Sequence, residues 1–273
     1  MRSIFYRWAP DNTLPDNTLM NIPYSSKFYA IQQAGSFASA DIVVPHVLSL
    51  FRVSSVLDVG CGVGGWLQVF ERHGITDYFG VDGDYIPLEM LKIPAEKFRP
   101  MNIANRMNFR RSFDLACSLE VAEHLPAECA EQFVEGLVKA APVVLFSAAI
   151  PCQGGTAHLN EQWPTYWAAL FARHGYVAVD CIRPWIYGNQ HIDWWYRQNI
   201  LIFCQGDKCP KGYQPTTNDY DLNRVDPGMI EHLLTPGSIS EALRDIRRVL
   251  PYLWRFIVWR VGFKTAPVAK NRG

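Results

Sequence analysis

VLDVGCGVGGWL, residues 56–67, predicts a buried β-strand followed by a glycine turn and the start of a helix. Apolar residues surround Asp58 in the strand half, as in parallel strands that are covered on both faces. Gly60, Gly62 and Gly65 keep the spacing G-x-G-x-x-G, which permits a tight turn and brings backbone close to a ligand at a helix N-terminus. This spacing alone is a weak signal, and a β–α turn without a ligand is the alternative.

Two acidic residues accompany the glycine turn. Asp58 lies inside the strand, two residues before the first glycine, and Asp82 ends the next strand-like run, YFGVD at residues 78–82. An acid at the end of the second strand can accept hydrogen bonds from both ribose hydroxyls of a bound nucleoside. The pattern therefore predicts a nucleoside-containing cofactor at the carboxyl edge of a parallel sheet.

A third stretch, FDLACSLEVAEHL at residues 113–125, completes a pattern that resembles the class I S-adenosylmethionine-dependent methyltransferases. The glycine loop, in the form D-x-G-x-G-x-G, is similar to the first motif of that family, and the resemblance runs from about residue 36 to 205. It implies a Rossmann-like three-layer α/β sandwich with a mostly parallel seven-stranded sheet and an antiparallel last strand. It also implies S-adenosylmethionine as the cofactor but does not identify the substrate.

The resemblance assigns cofactor contacts by position. Asp58 would face the methionine amine, with capping of the neighbouring helix as the alternative, and Asp82 would hold the ribose hydroxyls. The other expected contacts are Gly60, Cys61 and Gly62 of the glycine loop, Gly83 beside the adenine, Asn102 after the third strand, and Ser118, Leu119 and Glu120 on the methyl-donor side. Asn102 departs from the family pattern, which often has Asp at that position.

Two histidines are candidates for the catalytic base, because methyl transfer to a hydroxyl needs a group that takes up the proton. His158 lies in the loop QGGTAHLNEQW, residues 153–163, which resembles the corresponding loop of bacterial small-molecule and sugar methyltransferases. The alternative is a surface histidine beside a helix that Asn160 caps. His124 ends an E-x-x-x-H run, and the alternative there is a helix-start histidine bonded to backbone. No H-x-H or carboxylate cluster recurs at ligand spacing, so we expect no metal.

Alternating strand and helix patterns predict an open α/β sheet over residues 38–205. Strands are expected at 56–59, 78–82, 98–99, 113–118, 143–148, 176–182 and 199–205, and helices at 38–50, 64–73, 84–92, 126–140 and 161–174. Residues 1–37 predict an irregular arm, either a strap on the domain or a lid over the acceptor. The aromatic and polar stretch 185–198 predicts an acceptor-binding insertion or a packed hairpin, and residues 206–238 predict a linker.

The C-terminal segment has a composition of its own. Residues 239–273 hold eight Lys and Arg against two Asp and Glu, so this segment carries about +6 and the remainder about −6. Residues 239–263 predict one helix with two apolar stripes, too short and too charged to span a membrane. Trp and Arg on an apolar helix suit a membrane interface, and docking on the domain or on a second copy of the chain is the alternative.

Composition narrows the class of protein. The 273 residues suffice for one large domain with additions, and the zero net charge argues against nucleic acid as a partner. Seven cysteines, an odd number without a C-x-x-C pair, indicate reduced thiols. The polar residues that follow Met1 do not resemble a signal peptide. We therefore expect a cytoplasmic protein, either free or held peripherally at the inner face of the membrane.

Together these patterns predict an enzyme that transfers a methyl group from S-adenosylmethionine to a hydroxyl group of a small-molecule or saccharide acceptor, with an amine as the other acceptor class. Two alternatives remain open. A nicotinamide-dependent oxidoreductase satisfies the glycine spacing, although a Tyr-x-x-x-Lys pair is missing. A non-catalytic, membrane-associated protein with the same fold would retain the cofactor site without turnover.

Overall fold

The computed structural model describes residues 26–235 of the chain, with side chains from residue 35 onward. The first 25 residues of the predicted arm and the predicted helix at 239–263 lie outside this range. Within residues 26–235, none of the helices has the length and hydropathy needed to cross a membrane.

Seven strands form one sheet: β1 Ser55–Val59, β2 Asp77–Asp82, β3 Phe98–Pro100, β4 Leu115–Leu119, β5 Val143–Ser147, β6 Tyr176–Val179 and β7 Leu201–Gln205. Their order across the sheet is β3-β2-β1-β4-β5-β7-β6. Six strands are parallel, and β7 runs antiparallel to both of its neighbours, β5 and β6. The predicted mostly parallel sheet with an antiparallel last strand is confirmed.

The helices are α1 Ser26–Leu50, α2 Gly65–Arg72, α3 Ala130–Ala140, α4 Pro164–Ala172, α5 Arg183–Ile186, α6 Trp194–Asn199, α7 Asp219–Leu222 and α8 Pro227–Leu234. Short 3₁₀ turns occur at Leu88–Met90, Ala95–Lys97, Ala122–His124, Ala127–Cys129 and Gly206–Lys208.

A hydrophobic core covers each face of the sheet, because consecutive strand residues point to opposite faces. On one face Val56 of β1 packs in a cluster with residues of α1 and α2 such as Val44 and Trp66. On the other face Leu57 packs in a cluster with residues of α3 and α4 such as Phe133. The predicted three-layer sandwich is confirmed, and the strands point their carboxyl ends at the edge where the polar motifs lie.

The predicted irregular arm is helical from Ser26, so the prediction of a helix start near residue 38 is wrong. Residues 26–44 contain no proline, and Ser39 lies inside the helix and not at its N-cap. Ser39 Oγ donates to the carbonyl of Gly35 at 2.8 Å and accepts from the N–H of Asp193 at 3.1 Å. The residue therefore joins α1 to the segment that precedes α6.

Two other predicted helices differ in their limits. The helix predicted at 84–92 is only the 3₁₀ turn Leu88–Met90. Pro87 precedes this turn and Pro94 follows it, and a proline disfavours helical backbone at the residue before it. The helix predicted at 161–174 begins at Pro164, so Asn160 does not cap it.

The range predicted as a linker folds onto the domain as far as the structure describes it. Asp226 forms a two-pronged ion pair with Arg197 of α6, at 2.8 and 3.0 Å, and both side chains are buried. Asp226 also caps α8 by accepting from the N–H of Gly228. The stretch 185–198 is not a hairpin, since it belongs to α5, α6 and the loop between them.

Candidate active site

The carboxyl ends of β2, β1, β4 and β5 lie side by side at one edge of the sheet, where ligands of open α/β sheets bind. Asp58 and the glycine loop lie at the end of β1, and Asp82 ends β2. Glu120 follows β4, and Ser147 ends β5. Neighbouring strands are about 5 Å apart, so these groups span about 15 Å.

The glycine loop needs its glycines for two different reasons. Gly60 and Gly62 have φ of 80° and 54°, a region that side chains rarely adopt. A Cβ atom at Gly60 would collide with Val121, whereas one at Gly62 would have no described atom within 4 Å. Gly60 therefore permits close packing against the segment after β4, while Gly62 leaves backbone open to a ligand.

The N–H groups of the glycine loop already have acceptors. Those of Gly60 and Cys61 donate to the carbonyl of Val81 at 2.8 and 3.2 Å, and that of Gly62 donates to Asp82 Oδ2 at 2.7 Å. The loop can therefore contact a cofactor through its Cα atoms and carbonyls more readily than through these N–H groups. Gly64, with φ of 86°, is the N-cap of α2.

Asp82 is 5% exposed and accepts three hydrogen bonds. They come from the N–H groups of Gly62 and Gly83, at 2.7 and 2.6 Å, and from the hydroxyl of Tyr85 at 2.6 Å. Burial raises the pKa of Asp82 despite these three donors. The Tyr85 hydroxyl shows that Asp82 Oδ1 can accept a hydrogen bond from an O–H group.

Asp58 is 4% exposed, and none of the described residues donates a hydrogen bond to its carboxylate. Burial, together with the nearby Asp82 carboxylate, raises the pKa of Asp58 to about 8. Asp58 accordingly does not cap the neighbouring helix, whose N-cap is Gly64 and makes no side-chain bond. A buried carboxylate of this kind suits a ligand that brings a positive charge.

Two of the residues expected beside the adenine have other contacts. A Cβ atom at Gly83 would collide with the ring of Tyr85, so this ring covers Gly83. Asn102 is exposed, and its side-chain oxygen accepts from the N–H of Ala104 at 3.0 Å. It lies two residues beyond Pro100, the partner of Asp82 in the sheet, so the register places it close to the Asp82 end.

Ser118, Leu119 and Glu120 form the end of β4. Ser118 and Leu119 are buried, and the Ser118 hydroxyl has no hydrogen-bond partner among the described residues. Glu120 has a φ of 55°, which is rare for a residue with a side chain. Its N–H donates to the backbone carbonyl and the hydroxyl of Ser147, both at 3.0 Å. Such strain is held by the surrounding structure and is common at functional sites.

A buried amide network holds the Glu120 carboxylate, and sequence reasoning missed it. The network consists of Glu120, Gln153, Gln198 and Asn199. Gln153 and Asn199 donate to Glu120 at 3.0 and 3.1 Å, and Gln198 donates to Gln153 at 3.1 Å. Burial nevertheless raises the pKa of Glu120 to about 7. The signal available in the sequence was the pair Gln198–Asn199 directly before an apolar strand.

The loop after β5 is organised by Glu161. Its carboxylate accepts from the N–H groups of Cys152 and Gly154, at 2.9 and 2.7 Å, and from His158 Nδ1 at 2.9 Å. Cys152 and Ala157 have φ of 71° and 60°, so this loop is held in a strained shape. The His158 side chain is 13% exposed and is not a surface residue.

The structure brings His124 to His158. Their rings meet edge to face with centroids 4.9 Å apart, and His124 Nδ1 lies 3.4 Å from the carbonyl of Ala157. Burial and the neighbouring His158 lower the pKa of His124. The backbone bond was one of the two alternatives for His124, but it links the residue to the loop after β5 and not to a helix start.

Glu123 is the residue that sequence reasoning overlooked. It is completely buried, and neither carboxylate oxygen has a hydrogen-bond partner among the described residues. Its carboxylate lies with the rings of His124 and His158, the potential ligand atoms of the three residues all being within 4.8 Å of one another. Burial and the Glu120 carboxylate raise the pKa of Glu123 well above its usual value. The E-x-x-E-H run of residues 120–124 carried this signal, but His158 joins it only through the fold.

The residues present fit S-adenosylmethionine. Asp82 offers a carboxylate to a ribose diol, the unpaired Asp58 carboxylate suits an ammonium group, and Gly62 leaves room for close approach. When bound, this cofactor supplies an electrophilic methyl group on a sulfonium. Glu120, Glu123 and His124 follow β4, the strand next to β1, and His158 lies in the loop after β5.

Solved structures share this fold. One is the S-adenosylmethionine-bound CalS10, an amino pentose methyltransferase from Micromonospora echinaspora involved in calicheamicin biosynthesis. It matches with a TM-score of 0.52 and 14% identity, covering 68% of this chain and 98% of that one. Another is the sugar N-methyltransferase KedS8 from Streptoalloteichus sp ATCC 53650, with a TM-score of 0.51 and 14% identity over 75% of this chain and 99% of that one.

A curated relative matches over a shorter range. Ribosomal RNA large subunit methyltransferase E of Caulobacter sp. (strain K31) is 30% identical over 107 residues. The match covers 39% of this chain and 42% of that protein, so less than half of the relative's length is shared.

The sequence pattern of a family described as "Methyltransferase domain" matches residues 30–179, more than half of the chain. The matched range begins in α1 and ends with β6, so it includes the glycine loop, Asp82 and the E-x-x-E-H run. The chain therefore belongs to this methyltransferase domain family, and its fold is that of the class I S-adenosylmethionine-dependent methyltransferases.

Proposed function

We propose that the protein transfers the methyl group of S-adenosylmethionine to a hydroxyl group of a small-molecule or saccharide acceptor. The main support for the proposal is the group of polar side chains that follow β4 and β5. Glu120, Glu123, His124, His158 and Glu161 lie together there, beside the sheet edge that holds Asp58 and Asp82. Groups that accept protons and hydrogen bonds thus adjoin the cofactor side.

Different residues of the chain would bind the cofactor, align the acceptor and take up its proton. Asp58 and Asp82 would fix the two ends of the cofactor, which aligns donor and acceptor for an in-line displacement. Glu120, oriented by Gln153 and Asn199, would accept a hydrogen bond from the acceptor. His158 Nδ1 donates to Glu161, which leaves Nε2 with the lone pair that would take the hydroxyl proton.

An amine is the other acceptor class, and the activities of the similar structures favour it. Of the two similar structures described above, CalS10 is an amino pentose methyltransferase and KedS8 is a sugar N-methyltransferase. The carboxylates of Glu120 and Glu123 would attract an ammonium group, but the methyl group can be accepted only by the neutral amine. Hydroxyl and amine acceptors thus need the same proton-accepting surface.

Nucleic acid is a second candidate class, since the curated relative is named as a ribosomal RNA methyltransferase. Against it stands the charge of the proposed acceptor side, where three carboxylates lie close together. Phosphate groups are bound mostly by Lys, Arg and backbone N–H groups. A hydroxyl-rich acceptor without phosphate fits this surface better.

Calorimetric titration of the full chain with S-adenosylhomocysteine and, separately, with NAD tests the cofactor half of the proposal. We expect binding of the former alone and a loss of at least 10-fold in affinity for Asp82→Ala, because the ribose hydroxyls lose their acceptor. Exposed Asp219→Ala is the matched control. Binding of NAD alone would overturn the proposal.

Methyl transfer from labelled S-adenosylmethionine to panels of saccharides, small phenols and alcohols, amines, and ribosomal RNA tests the acceptor half. We expect turnover with a saccharide or another small hydroxyl compound. We expect His158→Ala to lose turnover by about 10²-fold or more while it binds S-adenosylhomocysteine normally. Methylation of RNA alone would reject the acceptor class, and normal turnover in His158→Ala would reject the base.

A further inference from the structure

A carboxylate and two imidazoles converge beside the cofactor edge of the sheet. Glu123 and His124 come from the 3₁₀ turn after β4, and His158 comes from the loop after β5. One potential ligand atom of each lies within 4.8 Å of the others. Ligands around one first-row cation are about 2.0–2.2 Å from it and hence within about 4.4 Å of one another.

Glu123 is the strongest single sign of a ligand. A fully buried carboxylate normally has a paired cation or several hydrogen-bond donors. Among the described residues no lysine or arginine forms an ion pair with Glu123 or with Glu120, and neither Glu123 oxygen makes a hydrogen bond of normal geometry. The backbone N–H groups of Glu123 and Ala149 favour its charged form only enough to offset part of the effect of burial. Glu120 and Glu161 add negative charge at the same place. The fold therefore gathers carboxyl groups whose ionised form burial disfavours and a bound cation would favour.

Both histidines are oriented as metal-binding histidines are. His158 donates Nδ1–H to the Glu161 carboxylate, and His124 directs Nδ1 to the carbonyl of Ala157. A carboxylate or carbonyl behind one ring nitrogen fixes the tautomer and leaves the other nitrogen with its lone pair. A Cβ atom at residue 155 would collide with the His158 ring, so Gly155 makes room for this imidazole.

We propose that Glu123, His124 and His158 bind one divalent first-row metal ion beside the acceptor side of the site. Two imidazoles and one carboxylate form a ligand set that suits manganese, iron, cobalt or zinc. Magnesium and calcium prefer oxygen ligands only, and they would bind more weakly.

The next step rests on the proposed function. Three protein ligands leave at least one coordination position of the ion open. An acceptor hydroxyl bound there would have its pKa lowered, so its proton would pass to water. Its oxygen would then take the methyl group as the methyl–sulfur bond of the cofactor breaks, with S-adenosylhomocysteine as the leaving group. In the metal-bound protein, His158 is a ligand and this polarisation replaces its role as base.

The test is binding of Mn²⁺ to the untagged full chain after treatment with EDTA, followed by the loss of the free-ion electron paramagnetic resonance signal and by calorimetry. Mn²⁺ is the probe because Cys152 is exposed and thiols bind zinc and cobalt. We expect one Mn²⁺ per chain with micromolar affinity, without any acceptor present.

Two variants remove ligands, and each has a matched control. Glu123→Gln and His158→Ala should weaken Mn²⁺ binding at least 10-fold. The controls are Glu128→Gln, at an exposed residue of the same segment, and His73→Ala, at the exposed C-cap residue of α2. Both should bind Mn²⁺ as the parent chain does. Glu123→Gln is isosteric and removes a buried charge, so its melting temperature in EDTA should equal or exceed that of the parent. Mn²⁺ should raise the melting temperature of the parent and not of this variant.

Each possible result either supports or overturns the metal site. Absence of saturable Mn²⁺ binding below 1 mM, or equal binding in the parent and both ligand variants, overturns the metal site. If Glu123→Gln does not fold, His158→Ala decides alone, because most residues of the loop that carries His158 are exposed. Binding of S-adenosylhomocysteine, measured in parallel, separates the two proposals. Its presence without Mn²⁺ binding leaves the proposed function and removes the metal site, and the reverse result leaves the metal site only.

Discussion

At the scale of single residues, the site contains side chains whose burial does not stabilise the fold. Asp58 and Glu123 are carboxylates buried without hydrogen-bond donors among the described residues, and Glu120 has strained backbone. Burial of an ionisable group without a partner lowers the free energy of unfolding. These residues are therefore better explained by ligands than by stability.

Replacing Asp58 by Asn should stabilise the free protein near neutral pH. In the folded state the pKa is about 8 against 3.8 for the unpaired group, so between these values the folded chain binds a proton that the unfolded chain has released. Stability of the parent thus falls as pH rises through this window. Asp58→Asn removes the effect, and denaturant unfolding at pH 7 should show a gain of about 1–3 kcal/mol.

The gain should shrink towards pH 4, where the unfolded chain also becomes protonated. The same variant should bind S-adenosylhomocysteine at least 10-fold more weakly, because the ligand's ammonium group loses its partner. A pH-independent stability difference would contradict the raised pKa of Asp58.

Gly60→Ala and Gly74→Ala separate backbone strain from packing. Both glycines have positive φ, 80° and 91°, so both variants should lose about 1 kcal/mol from strain. Only the new methyl group at residue 60 collides with Val121, which should add about 1–3 kcal/mol. Denaturant unfolding measures the difference, and equal losses in the two variants would show that Val121 moves aside.

At the scale of elements, the segment beyond β7 is part of the domain. Asp226 joins α8 to α6 through its ion pair with Arg197, and its N–H donates to Gln198 of the amide network at 3.0 Å. Through Gln198 and Asn199 this contact continues to Glu120. The position of the Glu120 carboxylate thus depends on elements that follow the last strand.

Asp226→Asn tests this dependence. Asn can still cap α8, but the buried guanidinium of Arg197 loses its counter-charge, which typically costs about 3–5 kcal/mol. Thermal or denaturant unfolding should show a loss of that size, whereas exposed Asp219→Asn should change stability by less than about 0.5 kcal/mol. A loss below 1 kcal/mol for Asp226→Asn would mean that α8 is not a stable part of the domain.

At the scale of the whole molecule, both layers of the sandwich meet the site. The core on one face ends at the glycine loop and α2, and the core on the other ends at the segment after β4. A ligand held by the ends of β1, β2 and β4 therefore connects parts of the chain that are distant in sequence. Such a ligand should stabilise the entire fold.

S-adenosylhomocysteine at about 100 times its dissociation constant should raise the free energy of unfolding by about 2.7 kcal/mol. For a domain of this size the melting temperature should rise by about 5–10 °C. Asp82→Asn, which should bind at least 10-fold more weakly, should gain no more than about 1.4 kcal/mol at the same ligand concentration, so its melting temperature should rise at most about half as far. An equal rise in this variant would place the ligand away from the end of β2.

The sequence by itself determined which segments form the strands of the sheet, which motif follows each strand, and at which edge of the sheet the cofactor motifs lie. Those features follow from local patterns: apolar runs for the buried strands, glycines where φ is positive, and an acid at the end of β2. The limits predicted for α1 and for the segment around Leu88–Met90 were wrong, because proline and capping signals compete with packing over these ranges.

Only the tertiary structure decided which residues meet beyond β4 and β5. Glu123 and His158 are 35 positions apart, and Glu120 is separated from Asn199 by 79. Their approach depends on the crossover of the chain between parallel strands and on the return of β7 between β5 and β6. Side-chain spacing along a sequence carries no information on such contacts, because it is the sheet order that sets the distances between strand ends.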